Sequence, residues 1–440
     1  VDLNVEEDAE EPKDAEEPKD AEEPKDAEKL VEDVKFVFFL SISNIMILYL
    51  LAIIIFIIIL FFLYIRLKYK FWSLQPVFHF YDIYYWIINV GIIRKELPEK
   101  NRYVNLKQIV TKSPEHINEL TKKQIVTLIK LNYLRDNENK FDPALNNILP
   151  YFVGHNCPTF WSYFTEPELF IDSKTSKTIT ENKMIGIITS RPMHVLLRGN
   201  KFDVYYVDYL CVNRNKRKQN IAPQLIQTHE YNQSYNNRKI CVSLFKREEE
   251  LTGIIPLTVY KTYCFNMIKW ITPNPLPASI QMLTGDKQNM YYLYNFINET
   301  NNKWDITIYP EISNIIELVT TKNLFVKMLV CNTEIVAIYI FRKTCLFLEK
   351  GKEVISCIAS INGHILTKDE FIAGFKVALW SIIKEHKNFH FLTIEDISDN
   401  TCIINNICAK TWPSIVSPMA YFFYNFAYSP FKPEKCLILN

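Results

Sequence analysis

Apolar residues along this chain fall into three regimes. From Phe36 to Ile65 no charged residue occurs, and Ile45–Leu63 is nearly all Ile, Leu, Phe and Tyr. About 20 such residues cross a bilayer as a helix, so the pattern predicts one transmembrane helix over 36–65. An acidic stretch precedes the run and no small-residue cleavage site follows it, which argues against a cleaved signal peptide. Ahead of the run the hexapeptide DAEEPK occurs at 8–13, 14–19 and 20–25. It is acidic, carries regular prolines and has no large apolar residue, so it cannot bury a core. Residues 1–33 are expected to form a disordered acidic tail. Beyond the apolar run, short β-branched and aromatic stretches mix with helical ones. Strands are expected at Met184–Thr189, Val204–Val212, Lys239–Phe245, Leu324–Val330 and Ile335–Phe341. Helices are expected at Lys122–Leu131, Ala222–Tyr231 and Phe371–His386. This intermingling predicts an α/β (α+β) body from about residue 66 onward.

Charge changes the picture of that body. The formal net charge of the chain is +1, but residues 1–33 hold 16 Asp/Glu against 4 Lys, a net of −12. The remainder is therefore strongly basic, which suits phosphate-bearing ligands or an anionic membrane surface; a merely solvated basic surface fits the charge equally well. Arg66, Lys68 and Lys70 follow the apolar run, while the acidic tail and Lys35 precede it. The positive-inside bias then puts the body in the cytoplasm. Ten cysteines without CxxC or CxxxH spacing give neither a zinc site nor a disulfide framework, and no metal is expected.

The stretch richest in chemistry is Val204–Gln227, VYYVDYLCVNRNKRKQNIAPQLIQ. Its start reads as a buried strand interrupted only by Asp208. A polar, basic loop follows from Asn213 to Asn220, and Ala222–Pro223 opens a helix, where Pro is favoured in the first turn. Free N–H groups and the helix dipole, supplemented by Lys and Arg, make such a junction an anion site suited to a diphosphate. An ordinary solvated loop is the alternative on physical grounds alone.

At this point the sequence resembles the N-myristoyltransferase family. That family carries a strand, loop and helix close to NFLCVHxxLRxKRxAPxLI; here Asp208-Tyr-Leu-Cys-Val-Asn213 is followed by Arg217 and by Ile221-Ala-Pro-Gln-Leu-Ile226. KFWxTQPV corresponds to KFWSLQPV at 70–77, NYVEDDDxxFRF to NYLRDNENKFD at 132–142, and KLVGFISAIPA to KMIGIITSRPM at 183–193. FNALDLMDN corresponds to FLTIEDISDN at 391–400, and YYLYNW to YFFYNF at 421–426, ahead of an aliphatic tail that ends at Asn440. These matches run in the family's order over roughly residues 68–440.

The resemblance implies a fold of tandem GCN5-related acetyltransferase-like halves with pseudo-twofold symmetry. An N-terminal acyl-CoA-binding half would span 66–250. A C-terminal peptide-binding half would span 251–440, its end returning to the active site. It implies transfer of a myristoyl group from myristoyl-CoA, a substrate and not a resident cofactor, to the amine of an N-terminal glycine. Partners would be acyl-CoA, glycine-starting proteins and one membrane, with no nucleic acid, and the protein would be a monomer. The backbone amides of Tyr209 and Leu210 would stabilise the thioester oxyanion, and the terminal carboxylate of Asn440 would be the base. Acyl-CoA would contact Tyr69, Lys70, Phe71, Trp72 and Gln75, then Val212, Arg217, Lys218, Gln219, Asn220, Ile221, Ala222 and Pro223. The peptide would contact Tyr133, Asp136, Phe141, Asp208, Thr252 and Tyr263.

Departures concentrate at the peptide site. The family Asn ahead of the FL pair is Asp208, a carboxylate that either serves as an extra base or holds the incoming amine as ammonium. The acidic DDD loop reads Arg135-Asp136-Asn137-Glu138, and the nearest match to YTAG is Thr252-Gly253 before Pro256. YWHR reads Tyr263-Cys264-Phe265-Asn266, and GxGDG reads Trp412-Pro413-Ser414-Ile415-Val416. With only 9 Gly in the chain, backbone approaches that glycine permits are lost there. Two expectations stand: an active, membrane-tethered N-acyltransferase with altered peptide preference, or a family member that binds acyl-CoA or peptide without turnover.

Overall fold

The uncharged run near the N-terminus forms one helix, α1 (Lys25–Tyr69), 45 residues long. Neither Pro nor Gly interrupts 36–65, so nothing breaks the hydrogen-bond ladder. The computed structural model describes residues 25–134, 138–171, 178–248, 253–349, 351–363 and 365–440; residues 1–24, which hold the acidic repeat except for its last Lys25, lie outside them. Lys29–Tyr69 is long and apolar enough to cross a membrane, with a mean hydropathy of 3.4 over its best window and none of that window buried in the protein. The chain divides into two units, 1–73 and 74–440.

The second unit is built on one large mixed sheet with helices against it. α2 (Glu119–Asn132) starts where the Asn118 side chain accepts from Thr121 N at 2.7 Å, capping one otherwise unpaired donor. β1 (Phe160–Ile171), β2 (Thr178–Leu197) and β3 (Asn200–Val212) pair antiparallel in sequence. The helix α3 (Ile221–Asn236) then returns the chain so that β4 (Ser243–Glu248) lies parallel to β3. After β5 (Thr258–Asn266), β6 (Ile280–Thr284) and β7 (Ile306–Tyr309), the same order recurs. β8 (Leu324–Cys331), β9 (Glu334–Leu348) and β10 (Lys352–Asn362) are antiparallel; α4 (Lys368–Glu385) brings β11 (Phe389–Glu395) back parallel to β10. β12 (Ile415–Tyr424) and β13 (Cys436–Ile438) close the chain.

The two repeats exchange their last strands. β5, which follows β4, pairs with β11, whereas β12, which follows β11, pairs with β4, and β5 and β12 pair with each other. Strand order is thus symmetric about the β12–β5 pair, and neither repeat completes its sheet alone. β13 runs parallel to β7, with Cys436 opposite Ile306 and Ile438 opposite Ile308. Cys436, Leu437, Ile438 and Leu439 are all buried, which carries Asn440 into the interior.

The structure bears out the mixed α/β reading of the body, but residues 25–33, expected in the disordered tail, are the first turns of α1, a backward extension of the hydrogen-bond ladder of the apolar run. Several element bounds also shift. The strand expected from Lys239 begins at Ser243. Asn237 ends α3 and its Oδ1 accepts from Lys239 N at 3.2 Å, while the Cys241 carbonyl accepts from Asn425 Nδ2 at 2.9 Å. Those bonds bend the chain before it enters the sheet. His386 lies one residue past α4, as its C-cap.

α3 crosses β2 and β3 closely at Gly186, where an added Cβ would meet Leu225 Cδ1 at 2.7 Å and the Cys211 carbonyl oxygen at 3.2 Å. Leu225 is fully buried, so it has little room to retreat. Gly186→Ala is expected to destabilise the fold by about 1–3 kcal/mol, read as a lower urea midpoint with unchanged slope.

Candidate active site

β3 pairs with β4 only through Tyr205–Val207 opposite Ser243–Phe245. Beyond that point the strands part, since β4 continues along β12 and β3 continues along β2. The register of β3 on β2 then slips: Thr189 faces Asp208 and Ile187 faces Cys211, leaving Tyr209 and Leu210 opposite the single residue Ile188. Two residues against one is a β-bulge, and such bulges re-aim backbone groups. Tyr209 has a φ of 46° and Leu210 is exposed.

The loop after β3 is held by its arginines. Arg214 N donates to Asn132 Oδ1 at 2.9 Å and Arg214 Nη2 to the Leu134 carbonyl at 2.7 Å. Arg217 Nη2 donates to the Asn132 carbonyl and Arg217 Nε to the Val212 carbonyl at 3.4 Å. Both guanidinium groups therefore sit at the carbonyl end of α2, where the helix dipole favours cations. Lys216 pairs with Glu166 at 2.8 Å. Lys218 and Asn220 take positive φ values of 65° and 60°, and Asn220 caps α3 without a side-chain bond. The first N–H groups of α3 are thereby left for other partners.

A cavity of about 520 Å³ opens at this junction. Val212, Arg217, Lys218, Asn220, Ile221, Ala222 and Pro223, all expected at an acyl-CoA site, line it together with Leu210. Tyr133, expected at the peptide, lines it too, as do Asn132, Cys211 and Lys216. Gln219 is in the loop but outside the lining, and buried Gln75 accepts instead from Tyr424 Oη at 2.8 Å. Tyr69, Lys70, Phe71 and Trp72 belong to the first unit; Tyr69 ends α1, and Phe71 and Trp72 pack edge to face at 5.2 Å.

Beside the bulge lies a buried polar centre. Asn440 Nδ2 donates to Tyr206 Oη at 2.7 Å, and Arg342 Nη1 donates to the Asn440 backbone oxygen at 3.3 Å. Glu395 accepts from Lys246 Nζ at 2.8 Å and from Tyr260 Oη at 2.7 Å, with Arg342 Nη2 at 3.9 Å. Burial opposes the charge of Glu395, but Lys246 and Arg342 outweigh it and hold the carboxyl below the usual range. Burial presses Lys246 below the usual lysine range despite Glu395. Arg191, 1% exposed, lies between the rings of Tyr151 and Tyr206, each 5.2 Å away. Its Nε and Nη1 have no hydrogen-bond partner among the described residues.

Asp208 is turned toward the bulge: its Oδ1 accepts from Tyr209 N at 2.8 Å. Tyr133 bridges Tyr209, at 6.0 Å between rings, and Phe141, at 4.9 Å. Tyr263 sits on β5 opposite Val416 and Ile394, stacked on Phe265 at 6.5 Å. Asp136 and Thr252 lie outside the described residues. Sequence reasoning passed over Arg191, Lys246, Arg342 and Glu395. Only Arg191 carried a signal, as the one charge in the run Met184–Leu197, since buried charges are rare unless paired; Lys246, Arg342 and Glu395 adjoin Arg247, Lys343 and Asp396, and no local pattern sets them apart.

Residues 95–255 match the family model for "Myristoyl-CoA:protein N-myristoyltransferase, N-terminal domain". Glycylpeptide N-tetradecanoyltransferase 1 of Arabidopsis thaliana is 26% identical over 163 residues, 36% of this chain and 36% of the relative. The Plasmodium falciparum glycylpeptide N-tetradecanoyltransferase is 24% identical over 173 residues, 37% of this chain and 38% of the relative. The aligned part thus spans little more than a third of these relatives. A solved structure of Saccharomyces cerevisiae N-myristoyltransferase with bound myristoyl-CoA superposes with a TM-score of 0.64, covering 83% of this chain and 90% of that one at 14% identity. That likeness is one of fold, and it extends past the matched segment through both repeats. Over residues 95–255 the chain is thus similar in sequence to the N-myristoyltransferase family, and its body shares the fold of the yeast N-myristoyltransferase.

Proposed function

We propose that this protein is a membrane-tethered acyltransferase that moves a myristoyl group from myristoyl-CoA to the amine of an N-terminal glycine. One observation carries the reading: the cavity at the head of α3 adjoins the bulge, so that Leu210 lines it together with the basic loop and the first turn of α3. A diphosphate would meet the α3 amides and Lys218. The thioester would reach the bulge, where the Tyr209 and Leu210 amides would meet the oxygen on which charge develops.

In this reaction the glycine amine attacks the thioester carbon, the C–S bond breaks and CoA leaves as the thiolate. The α-carboxylate of Asn440, the last residue of this sequence, takes the first proton from the ammonium; the second passes from the adduct nitrogen to the departing thiolate. Arg342 and Tyr206 hold Asn440 from two sides. α1 is the tether. Arg66, Lys68 and Lys70 at its C-terminal end favour the cytoplasmic side for the body.

A second reading, binding of acyl-CoA or peptide without turnover, is favoured by Asp208. Its carboxylate takes the Tyr209 N–H that the oxyanion would need. Displacing a charged acceptor from a donor costs about 1.5–3 kcal/mol. Turnover would be slowed by it even in an active enzyme.

Three outcomes test these readings. Full-length protein in vesicles, given myristoyl-CoA and glycine-starting peptides, is expected to form the myristoyl amide; tight myristoyl-CoA binding with no product leaves the binding-only reading. Appending a few residues after Asn440 is expected to lower kcat by roughly 100-fold or more without changing myristoyl-CoA affinity; unchanged kcat excludes the carboxylate as base. Asp208→Asn is expected to raise the single-turnover rate about tenfold, the equivalent of ~1.4 kcal/mol; a fall instead identifies Asp208 as a working base.

A further inference from the structure

Residues 83–93, IYYWIINVGII, contain no charge, yet most of them face outward. Ile83 is 67% exposed, Ile87 76%, Ile88 72% and Val90 54%, with Tyr84 and Trp86 also exposed. Exposed apolar surface of this density marks an interaction site.

The segment is held in this arrangement from both ends. On one side Phe80 N donates to the Gly253 carbonyl at 3.2 Å and Ile255 N to the Phe78 carbonyl at 2.7 Å. On the other, Gly91–Ile92 pairs with Phe426–Ala427, and Arg94 N donates to Asn425 Oδ1 at 2.7 Å. Asn425 N donates to the Pro76 carbonyl at 2.6 Å, so one residue ties the two ends of the loop together. Inside the loop, Asp82 Oδ2 accepts from His79 N at 2.9 Å, and Trp86 packs on buried Phe78 at 4.8 Å. The apolar side chains that project are therefore presented by a braced loop.

We propose that this loop is a membrane-docking surface, inserted into the interfacial layer of the same bilayer that α1 crosses; the inference rests on the tether reading above. An uncharged run of this length is too short to span a bilayer and suits an interfacial segment. Trp and Tyr are the residues that concentrate at the membrane–water boundary. Ile83 follows Tyr69, the end of α1, by 14 residues, a reach of at most about 50 Å, short enough for the loop to return to the bilayer. Arg66, Lys68 and Lys70 precede it in sequence and Lys95 follows it, against Asp82, whose carboxylate is taken by His79 N, and Glu96, and the basic excess before the loop matches anionic headgroups. The docked body would have its orientation to the membrane fixed at two points, α1 and the loop.

The test uses the full chain in sealed phosphatidylcholine–phosphatidylserine vesicles with radiolabelled lipid. The photo-crosslinker p-benzoylphenylalanine replaces Ile87, or Ile54 within α1, or Trp412, which is 91% exposed elsewhere on the body. Lipid adducts are expected at 54 and 87 and not at 412. Adducts at 54 without adducts at 87 overturn the docking surface and leave the tether intact. No adduct at either position overturns both. A polypeptide adduct at 87 in place of lipid means that a second copy or a protein partner covers the loop, and overturns the proposal. Equal labelling at 412 means that the body contacts lipid without preference for this loop, and overturns it as well.

Discussion

Everything at the candidate site follows from how briefly β3 and β4 pair. Three residues of parallel ladder, Tyr205–Val207 with Ser243–Phe245, are enough to set the register of the first repeat. β12 covers the opposite edge of β4 along its whole length, and past Val207 β3 pairs with β2 alone, so its other edge is open beside the cavity that Leu210, Cys211 and Val212 line. An open strand edge is costly unless something occupies it, and under the proposed function the acyl-CoA thioester would be that occupant. The second repeat pairs its corresponding strands, β10 and β11, through Glu353–Cys357 and Phe389–Ile394. That longer ladder leaves less backbone uncovered, so the two repeats share an order of elements without sharing a site.

The exchange of β5 and β12 then brings charges from both repeats to one place. Lys246 comes from β4, Arg342 from β9, Glu395 from β11, and Arg191 and Asp208 from β2 and β3. Removing either partner of a buried pair costs about 3–5 kcal/mol, because the other charge is stranded. The centre therefore couples the two repeats electrostatically as well as through the ladder. It contains three cations and two side-chain carboxylates, with the Asn440 backbone oxygen held by Arg342.

Much of this was legible in the residues, for identifiable reasons. The apolar run Val204–Val212 followed by a basic loop and Ala222–Pro223 specifies strand, loop and helix by local propensity alone, and the cavity formed where those elements meet. The apolar part of the first helix, 36–65, needed only length and the absence of charge, but its extension back through the charged residues to Lys25 was not legible. Less legible were features that depend on distant pairing. The delayed start of β4 at Ser243 is imposed by Asn425, almost two hundred residues away. Arg217 carries a charge that suits phosphate, yet its bond to the Asn132 carbonyl exists only because α2 ends beside the loop. Asp208 read as a departure from the family Asn; that its carboxylate would turn onto the adjacent Tyr209 N–H depends on the bulge, which no local pattern signals.

In the proposed reaction the charge balance bears directly on the acceptor. An amine entering beside Lys246, Arg342 and Arg191 meets like charge if it is protonated, and like charge favours its neutral, nucleophilic form. Asp208 acts in the opposite sense, since a carboxylate favours the ammonium. The family pattern has an uncharged Asn at that position, and so lacks this opposition. Here the same carboxylate both competes for an oxyanion donor and steadies the unreactive form of the nucleophile, whereas the cations around Asn440 push the other way. The rate of the proposed acyl transfer would then be set less by whether the reacting groups are present than by which charge lies nearer the amine. Asp208 immediately precedes the bulge, one residue before the Tyr209 N–H it accepts from, whereas Lys246 and Arg342 face Glu395, which offsets part of their charge.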